Sequence, residues 1–204
     1  LGPNAIAALE ALGAGDHVRE TGHTAAGRRI LTRSGRELSE GPWQGGVIRR
    51  ADLHEGLARL LRVSVEHGRR CVLVEQDAGG ARAHFEDGSV EEADAIVAAD
   101  GLRSTIRAQL FPNGEPIYRG STSFRGIARH THPLIRDHIV ETWGRGARIG
   151  LQNLGAGWTY WFAALNAPQG TRVPPAEAKR LLLDRFSGWH APIEDVLAAT
   201  AEER

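Results

Sequence analysis

The sequence is most informative at first through what it lacks. It has a single cysteine, Cys71, which excludes a disulfide within the chain and is typical of a reducing compartment, so we predict a cytoplasmic protein. The formal net charge is zero, which argues against nucleic acid or an anionic membrane as a partner. No apolar run approaches the length of a membrane span, so we predict no membrane association.

The stretch from Glu92 to Arg107 is predicted to form a strand, a tight turn and a helix. Ala95 to Ala98 is a short apolar run between acids, which is typical of a strand buried on both faces of a parallel sheet. Asp100-Gly101 then turns the chain, and Ser104 is placed to cap the following helix. A carboxylate beyond the carboxyl end of such a strand can accept hydrogen bonds from ribose or ribityl hydroxyls, although a turn without a ligand explains the same residues.

Apolar periodicity predicts the other elements of the chain. The break from Phe111 to Gly114 indicates a change of domain, so we predict one domain over residues 1–112 and a second over 113–204. We expect helices at 3–12, 174–186 and 193–199, and another that opens within 47–53 and ends at Gly68. We also expect a hairpin at 29–38 and one antiparallel sheet with strands within 118–127, 139–143, 148–154 and 158–164.

A longer pattern runs through the turn: an acid, an apolar strand, Ala-Asp-Gly and then Ser-x-x-Arg. It resembles the Asp-Gly motif of the FAD-dependent aromatic-ring monooxygenases, the single-component flavoprotein hydroxylases. The nearest branch is that of salicylate hydroxylase, urate hydroxylase and zeaxanthin epoxidase. Ala98 stands where this family more often has glycine, and the residues that fill the pattern are Asp94, Asp100, Gly101, Ser104 and Arg107.

The resemblance implies an α/β protein. Its partial FAD-binding, Rossmann-like domain is followed by an α+β substrate domain with an antiparallel sheet. It also implies a monooxygenase that hydroxylates an electron-rich aromatic or heteroaromatic small molecule with O2 and NADH or NADPH, through a flavin hydroperoxide. In this family the flavin carries the reaction, while the protein orients the substrate and excludes water.

The resemblance assigns four residues to the cofactor. Arg50 matches an arginine that contacts the flavin cofactor, and Cys71 matches a position whose backbone lies beside the adenine. Asp100 and Gly101 complete this predicted site. A solvated arginine and a small buried thiol are the alternatives for the first two.

Two residues of the second domain are implied to bind substrate. Arg148 and Tyr160 align with an arginine and a tyrosine that address the substrate in urate-hydroxylating relatives. Arg148 can hold an anionic or carbonyl-bearing ring, and Tyr160 can hydrogen-bond it. The alternative for Tyr160 is a place in the core of its sheet.

The chain also lacks parts that a complete member of this family has. It begins Leu1-Gly2-Pro3, contains no methionine, and has no Gly-x-Gly-x-x-Gly after a strand to bring amides to a pyrophosphate. We therefore expect an internal piece of a larger enzyme, inactive and poor at binding FAD when alone. The alternative is a complete small protein that never had those parts.

Other functions remain as alternatives. One is a non-catalytic, flavin-free binding domain, and another is an epoxidase or halogenase on the same scaffold. A halogenase needs a lysine near the flavin, and the only lysine of the sequence is Lys179, on a late predicted helix. His130, His132 and His138 offer imidazoles for a metal, but no acid or cysteine cluster completes a site, so we predict none.

Overall fold

The computed structural model describes residues 1–111 and 114–201 and divides the chain into two compact units. We call Leu1–Leu61 with the chain from Gly120 onward the sheet unit, and Arg62–Arg119 the meander unit. The predicted domain boundary, at Pro112 and Asn113, lies outside the described residues, so the division into 1–112 and 113–204 stays a prediction. None of the described helices combines the length and apolar character that a bilayer span requires.

Helices and strands are interspersed along the chain, in runs of one to four elements of the same kind. The helices are α1 Pro3–Ala11, α2 Gly15–Thr21, α3 Arg50–Leu60, α4 Thr105–Leu110, α5 Pro133–Arg136, α6 Pro175–Phe186 and α7 Ile193–Ala198. The strands are β1 His23–Thr24, β2 Gly27–Thr32, β3 Glu37–Pro42, β4 Gly46–Val47, β5 Cys71–Asp77, β6 Gly80–Phe85, β7 Val90–Ala93, β8 Ser121–Arg129, β9 His138–Gly144, β10 Ala147–Gly155 and β11 Trp158–Asn166. The predicted mixed α/β class is confirmed, whereas the helix predicted to continue to Gly68 ends at Leu60 as α3.

A six-stranded sheet in the order β3-β2-β9-β10-β11-β8 forms the centre of the sheet unit. The four strands predicted between residues 118 and 164 lie side by side and antiparallel in it, as predicted. The predicted hairpin also forms, as β2 and β3. Its parallel pairing with β9, which extends the sheet, is a long-range contact that the local sequence pattern did not indicate.

One face of this sheet is buried against α6 and α7. Along β11 the side chains of Thr159, Trp161 and Ala163 are buried, whereas those between them are half-buried. Phe186 of α6 and Ile193 of α7 are fully buried in the same apolar cluster. Because strand side chains alternate between the two sides of a sheet, the even-numbered residues of β10 and β11 lie on the opposite side, which we call the second face.

The meander unit contains an antiparallel sheet of β5, β6 and β7, with α4 packed against β5. The side-chain amide of Gln109 accepts from the backbone N–H of Val74 at 3.0 Å and donates to its carbonyl at 2.5 Å. A helix side chain thus satisfies the backbone groups of an edge strand that would otherwise be unpaired.

The predicted buried strand at Ala95 to Ala98 is wrong. The segment is not a strand, and the side chain of Val97 is 90% exposed. A parallel strand takes its hydrogen bonds from neighbouring strands, and none of the strands in residues 1–111 and 114–201 pairs with this segment. An apolar run without such a neighbour leaves its side chains in solvent.

Candidate functional site

The turn predicted at Asp100-Gly101 is present. Gly101 has φ +84°, in the left-handed region that favours glycine, and no heavy atom other than those of its two chain neighbours lies within 4 Å of the position a Cβ would take. Asp100 is exposed, and its Oδ2 accepts from the backbone N–H of Ile106 at 3.4 Å. The turn therefore presents a carboxylate beside open space.

Hydrogen bonds from the start of α4 lower the pKa of the Asp100 carboxyl. The hydroxyl of Ser104 is the largest cause, and the backbone N–H groups of Ile106 and Thr105 add to it. Asp100 is therefore ionised at neutral pH and acts only as an acceptor. Because the pKa is lowered, the stabilisation of the turn is present above the ordinary carboxyl value of about 4 and is lost as the pH falls through the lowered value.

Arg107 and Ser104 fix the shape of the turn. The guanidinium of Arg107 donates to the carbonyl of Gly114 at 3.2 Å, to that of Gly101 at 3.4 Å and to that of Leu102. Ser104 is the N-cap of α4, as predicted, and its Oγ accepts from the backbone N–H of Arg107 at 2.8 Å. The Ser-x-x-Arg part of the motif thus has a structural role in holding Asp100 and Gly101.

We expect the substitution Ser104→Ala to loosen this turn. It removes both the helix cap, at a cost of about 1 kcal/mol, and the largest cause of the lowered Asp100 pKa. Amide hydrogen exchange in α4 should accelerate, and NMR titration should show the Asp100 pKa moving up towards its ordinary value. Ser104→Thr keeps the hydroxyl and should change neither; an unchanged Asp100 pKa in the alanine variant would refute the assignment.

The other two predicted cofactor residues lie in different units. Cys71 begins β5 of the meander unit, is half-buried, and donates from Sγ to the carbonyl of Leu73 at 3.5 Å. Arg50 is the first residue of α3 in the sheet unit and is exposed. The structure thus brings Cys71 into the same unit as the Asp-Gly turn, and the roles of all four residues stay predictions.

The two predicted substrate residues share the second face of the six-stranded sheet. Arg148 on β10 pairs with Ala164 of β11, and Tyr160 lies four positions from Ala164, about 13 Å along the strand. Phe162 lies between them and packs on Gly150, where an added Cβ would come within 2.1 Å of the ring. The Arg148 guanidinium is 5.7 Å from the centroid of that ring. An aromatic ring thus separates a cation from a phenol on one surface.

The second face also holds a carboxylate that the sequence analysis missed. Glu141 on β9 is only 8% exposed. Its Oε1 accepts from the indole N–H of Trp143 at 2.7 Å and from Arg148 at 2.9 Å, and its Oε2 accepts from Arg28 at 3.3 Å. A charged residue close to Ile139, Val140 and Trp143 is the signal that would have found it, because a buried charge needs partners.

Comparison with known proteins finds relatives of this chain, although no family model matches it. Aurachin C monooxygenase/isomerase from Stigmatella aurantiaca is 34% identical over 215 residues, which cover 97% of this chain and 54% of that protein. 3-Amino-4-hydroxybenzoate 2-monooxygenase from Streptomyces cremeus is 31% identical, with 98% of this chain and 54% of that protein covered. The chain therefore spans about half the length of these curated relatives.

Solved structures agree with these relatives. Klebsiella pneumoniae HpxO complexed with FAD and uric acid matches 100% of this chain and 56% of its own, with a TM-score of 0.82 and 27% identity. The 2,6-dihydroxypyridine-3-hydroxylase from Arthrobacter nicotinovorans matches 98% of this chain and 59% of its own, with a TM-score of 0.79; at 16% identity it supports the fold alone. The predicted resemblance is confirmed: the relatives of this chain are FAD-dependent monooxygenases.

Proposed function

We propose that the protein is an FAD-dependent monooxygenase that hydroxylates an electron-rich aromatic or heteroaromatic small molecule with O2 and NADH or NADPH. The observation that carries this proposal is the second face of the six-stranded sheet, where Arg148, Phe162 and Tyr160 are aligned. Relatives named as monooxygenases, and a structural neighbour that holds both FAD and uric acid, support it. The single cysteine supports a cytoplasmic location.

The Asp-Gly turn fits the hydroxyl-bearing part of FAD. An ionised carboxylate has about four acceptor positions, so Asp100 can accept from a ligand hydroxyl beside its internal donors. The missing side chain of Gly101 leaves room for that ligand to approach. Arg50 and the backbone at Cys71 are the further cofactor contacts that we propose. When bound, FAD supplies the redox chemistry with O2.

The proposed role of the sheet unit is to bind and orient the aromatic substrate. Arg148 donates charged hydrogen bonds to an anionic or carbonyl oxygen of the ring. Phe162 offers an aromatic surface beside that cation, and Tyr160 donates to a second polar group on the far side. Fixing the ring from two sides selects which carbon faces the oxidant.

Epoxidation is the second candidate. Zeaxanthin epoxidase of Nicotiana plumbaginifolia is 32% identical over 167 residues, which cover 77% of this chain and 24% of that protein. Products separate the two reactions, since hydroxylation of a ring retains its unsaturation and epoxidation removes a double bond. A halogenase is disfavoured because Lys179 lies on α6, against the covered side of the six-stranded sheet.

The flavin spectrum of the purified full-length protein tests the proposal. We expect an oxidised-flavin absorbance and an oxidation of NADH or NADPH that aromatic compounds accelerate. With ¹⁸O2, the product should gain one labelled oxygen atom. A protein that holds no flavin, even after incubation with FAD, would instead support the flavin-free binding domain and contradict the proposed function.

A further inference from the structure

We infer that Glu141 is a positioning residue that holds Arg28 and Arg148 together as a subsite for the anionic oxygen of an aromatic substrate. The inference rests on the proposed function and deepens it by two residues that the proposed function does not use. Glu141 orients the guanidinium of Arg148, and Arg28, from a hairpin more than a hundred residues earlier in the chain, is a second substrate-binding residue.

The register of the sheet explains why both arginines meet one carboxylate. β9 lies between β2 and β10, and Glu141 pairs with Ile30 on one side and Gly150 on the other. Arg28 and Arg148 each lie two positions from those partners, and residues two apart on a strand share a face. Both guanidinium groups therefore reach the same carboxylate from opposite sides on the second face.

Burial divides the cluster into an inner acid and two outer bases. The side chain of Glu141 is 10% exposed, whereas those of Arg28 and Arg148 are 39% and 54% exposed. Each guanidinium carries five N–H donors and meets Glu141 through one nitrogen, so further donors remain on its exposed side. One carboxylate against two guanidinium groups leaves a net positive charge at the surface, which favours an anion.

The aromatic side chain of Trp143 beside the cluster favours an aromatic anion as the ligand. The indole N–H of Trp143 donates to Glu141, and this residue is 46% exposed, so part of its surface is open to a ligand. Trp143 and Arg148, and not Arg28 or Glu141, line an adjoining open cavity of about 420 Å³ together with Ser121 and Ala164. That volume is within the range of small-molecule sites, and a cation beside ring surfaces recognises both the charge and the plane of its ligand.

The effect of Glu141→Gln on anion affinity depends on whether Glu141 acts through its charge or by orienting the two arginines. The substitution removes the negative charge, so a site that depends on charge alone should bind anions more tightly. A site that depends on the orientation of Arg28 and Arg148 should bind them more weakly, because the amide oxygen is a poorer acceptor for two guanidinium groups. A salt bridge that only stabilises the sheet should leave anion affinity unchanged.

We would titrate the full-length protein with salicylate and with its neutral analogue salicylamide. We expect the wild type to prefer salicylate by about tenfold or more, and both Glu141→Gln and Arg28→Gln to weaken salicylate binding by about tenfold while salicylamide affinity is unchanged. The matched control is Arg29→Gln, which removes the same charge from the next residue of β2, where the side chain pairs with Glu37 and Glu40. This control should bind salicylate like the wild type.

Three results would overturn the inference: equal affinity of the wild type for the two probes, unchanged or tighter salicylate binding by Glu141→Gln, and the same loss in the Arg29→Gln control. Thermal melting identifies any variant that is unfolded. If Glu141→Gln is unfolded, Arg28→Gln still tests the inference, because the side chain of Arg28 is half-exposed. Flavin content is measured separately. A protein without flavin that still shows the arginine-dependent preference refutes the proposed function and not this subsite.

Discussion

Replacing Asp100 by alanine in the full-length protein is expected to weaken FAD binding by about tenfold to a hundredfold, the range for losing a hydrogen bond to a charged acceptor. The substitution removes the only carboxylate of the Asp-Gly turn and with it the proposed acceptor for the cofactor's hydroxyls. It also removes the acceptor for the Ser104 hydroxyl and the Ile106 amide, so the turn itself loosens. Titration of FAD into the apoprotein, followed by flavin fluorescence, measures the loss.

A second Asp-Gly turn in the meander unit provides the control. Asp87 accepts from the backbone N–H of Ser89 at 2.9 Å, and the Ser89 hydroxyl is the largest cause of its lowered pKa. Gly88 has φ +83°, close to that of Gly101. Asp87→Ala therefore removes the same local chemistry at a turn without a proposed ligand. If both variants lost FAD equally, the role of Asp100 would be general stability of the unit and the cofactor assignment would fail.

The sheet unit shows what local pattern can predict. Alternation along β10 and β11 gave the strands and placed Arg148 and Tyr160 on one face, because the period of a strand is a property of neighbouring residues. The pairing of β2 with β9 joins Gly27 to His138 and follows from no local pattern. The alternation of apolar residues predicts which side of a strand faces the core. Which strands lie next to each other depends on the whole fold.

The wrong strand has a different cause. The run from Ala95 to Ala98 has the composition of a buried strand, but composition does not supply the neighbours whose amides and carbonyls would pair with it. The turn after it needs no such neighbours. Gly101 provides the positive φ and Ser104 the cap, so this part of the prediction is confirmed. Features built from contacts within a few residues are the ones the sequence predicts well.

Glu141 and Arg28 of the second face were not predicted as site residues, for two different reasons. Glu141 has a local signal, a charge close to the apolar residues Val140 and Trp143. Arg28 has none, since nothing near it in sequence distinguishes it from Arg29. Only the register of β2 against β9 turns Arg28 to the second face and Arg29 to the other. A binding surface assembled from distant strands therefore requires the fold before its members can be identified.

Substitution of Phe186 by alanine should cost the sheet unit about 3–5 kcal/mol, the usual loss for a large aromatic side chain in a core. Phe186 is 0% exposed, and its ring meets Trp189 edge-on with centroids 4.8 Å apart, so little of the space can close without moving α6. Urea unfolding followed by tryptophan fluorescence should show a lower midpoint, since Trp189 and Trp161 belong to the same cluster. Leu12→Ala, at a side chain 65% exposed, should change the free energy of unfolding by less than about 0.5 kcal/mol.

The Phe186→Ala substitution should also affect the proposed substrate surface. Ile149 and Trp161 pack in the core with Phe186, and they alternate along β10 and β11 with the residues of the second face. A cavity beneath these strands should therefore raise the mobility of Arg148 and Tyr160 without touching either. We expect Phe186→Ala to weaken salicylate binding even under conditions in which the protein stays folded. Unchanged affinity together with the full loss of stability would mean that the second face keeps its geometry independently of the core beneath it.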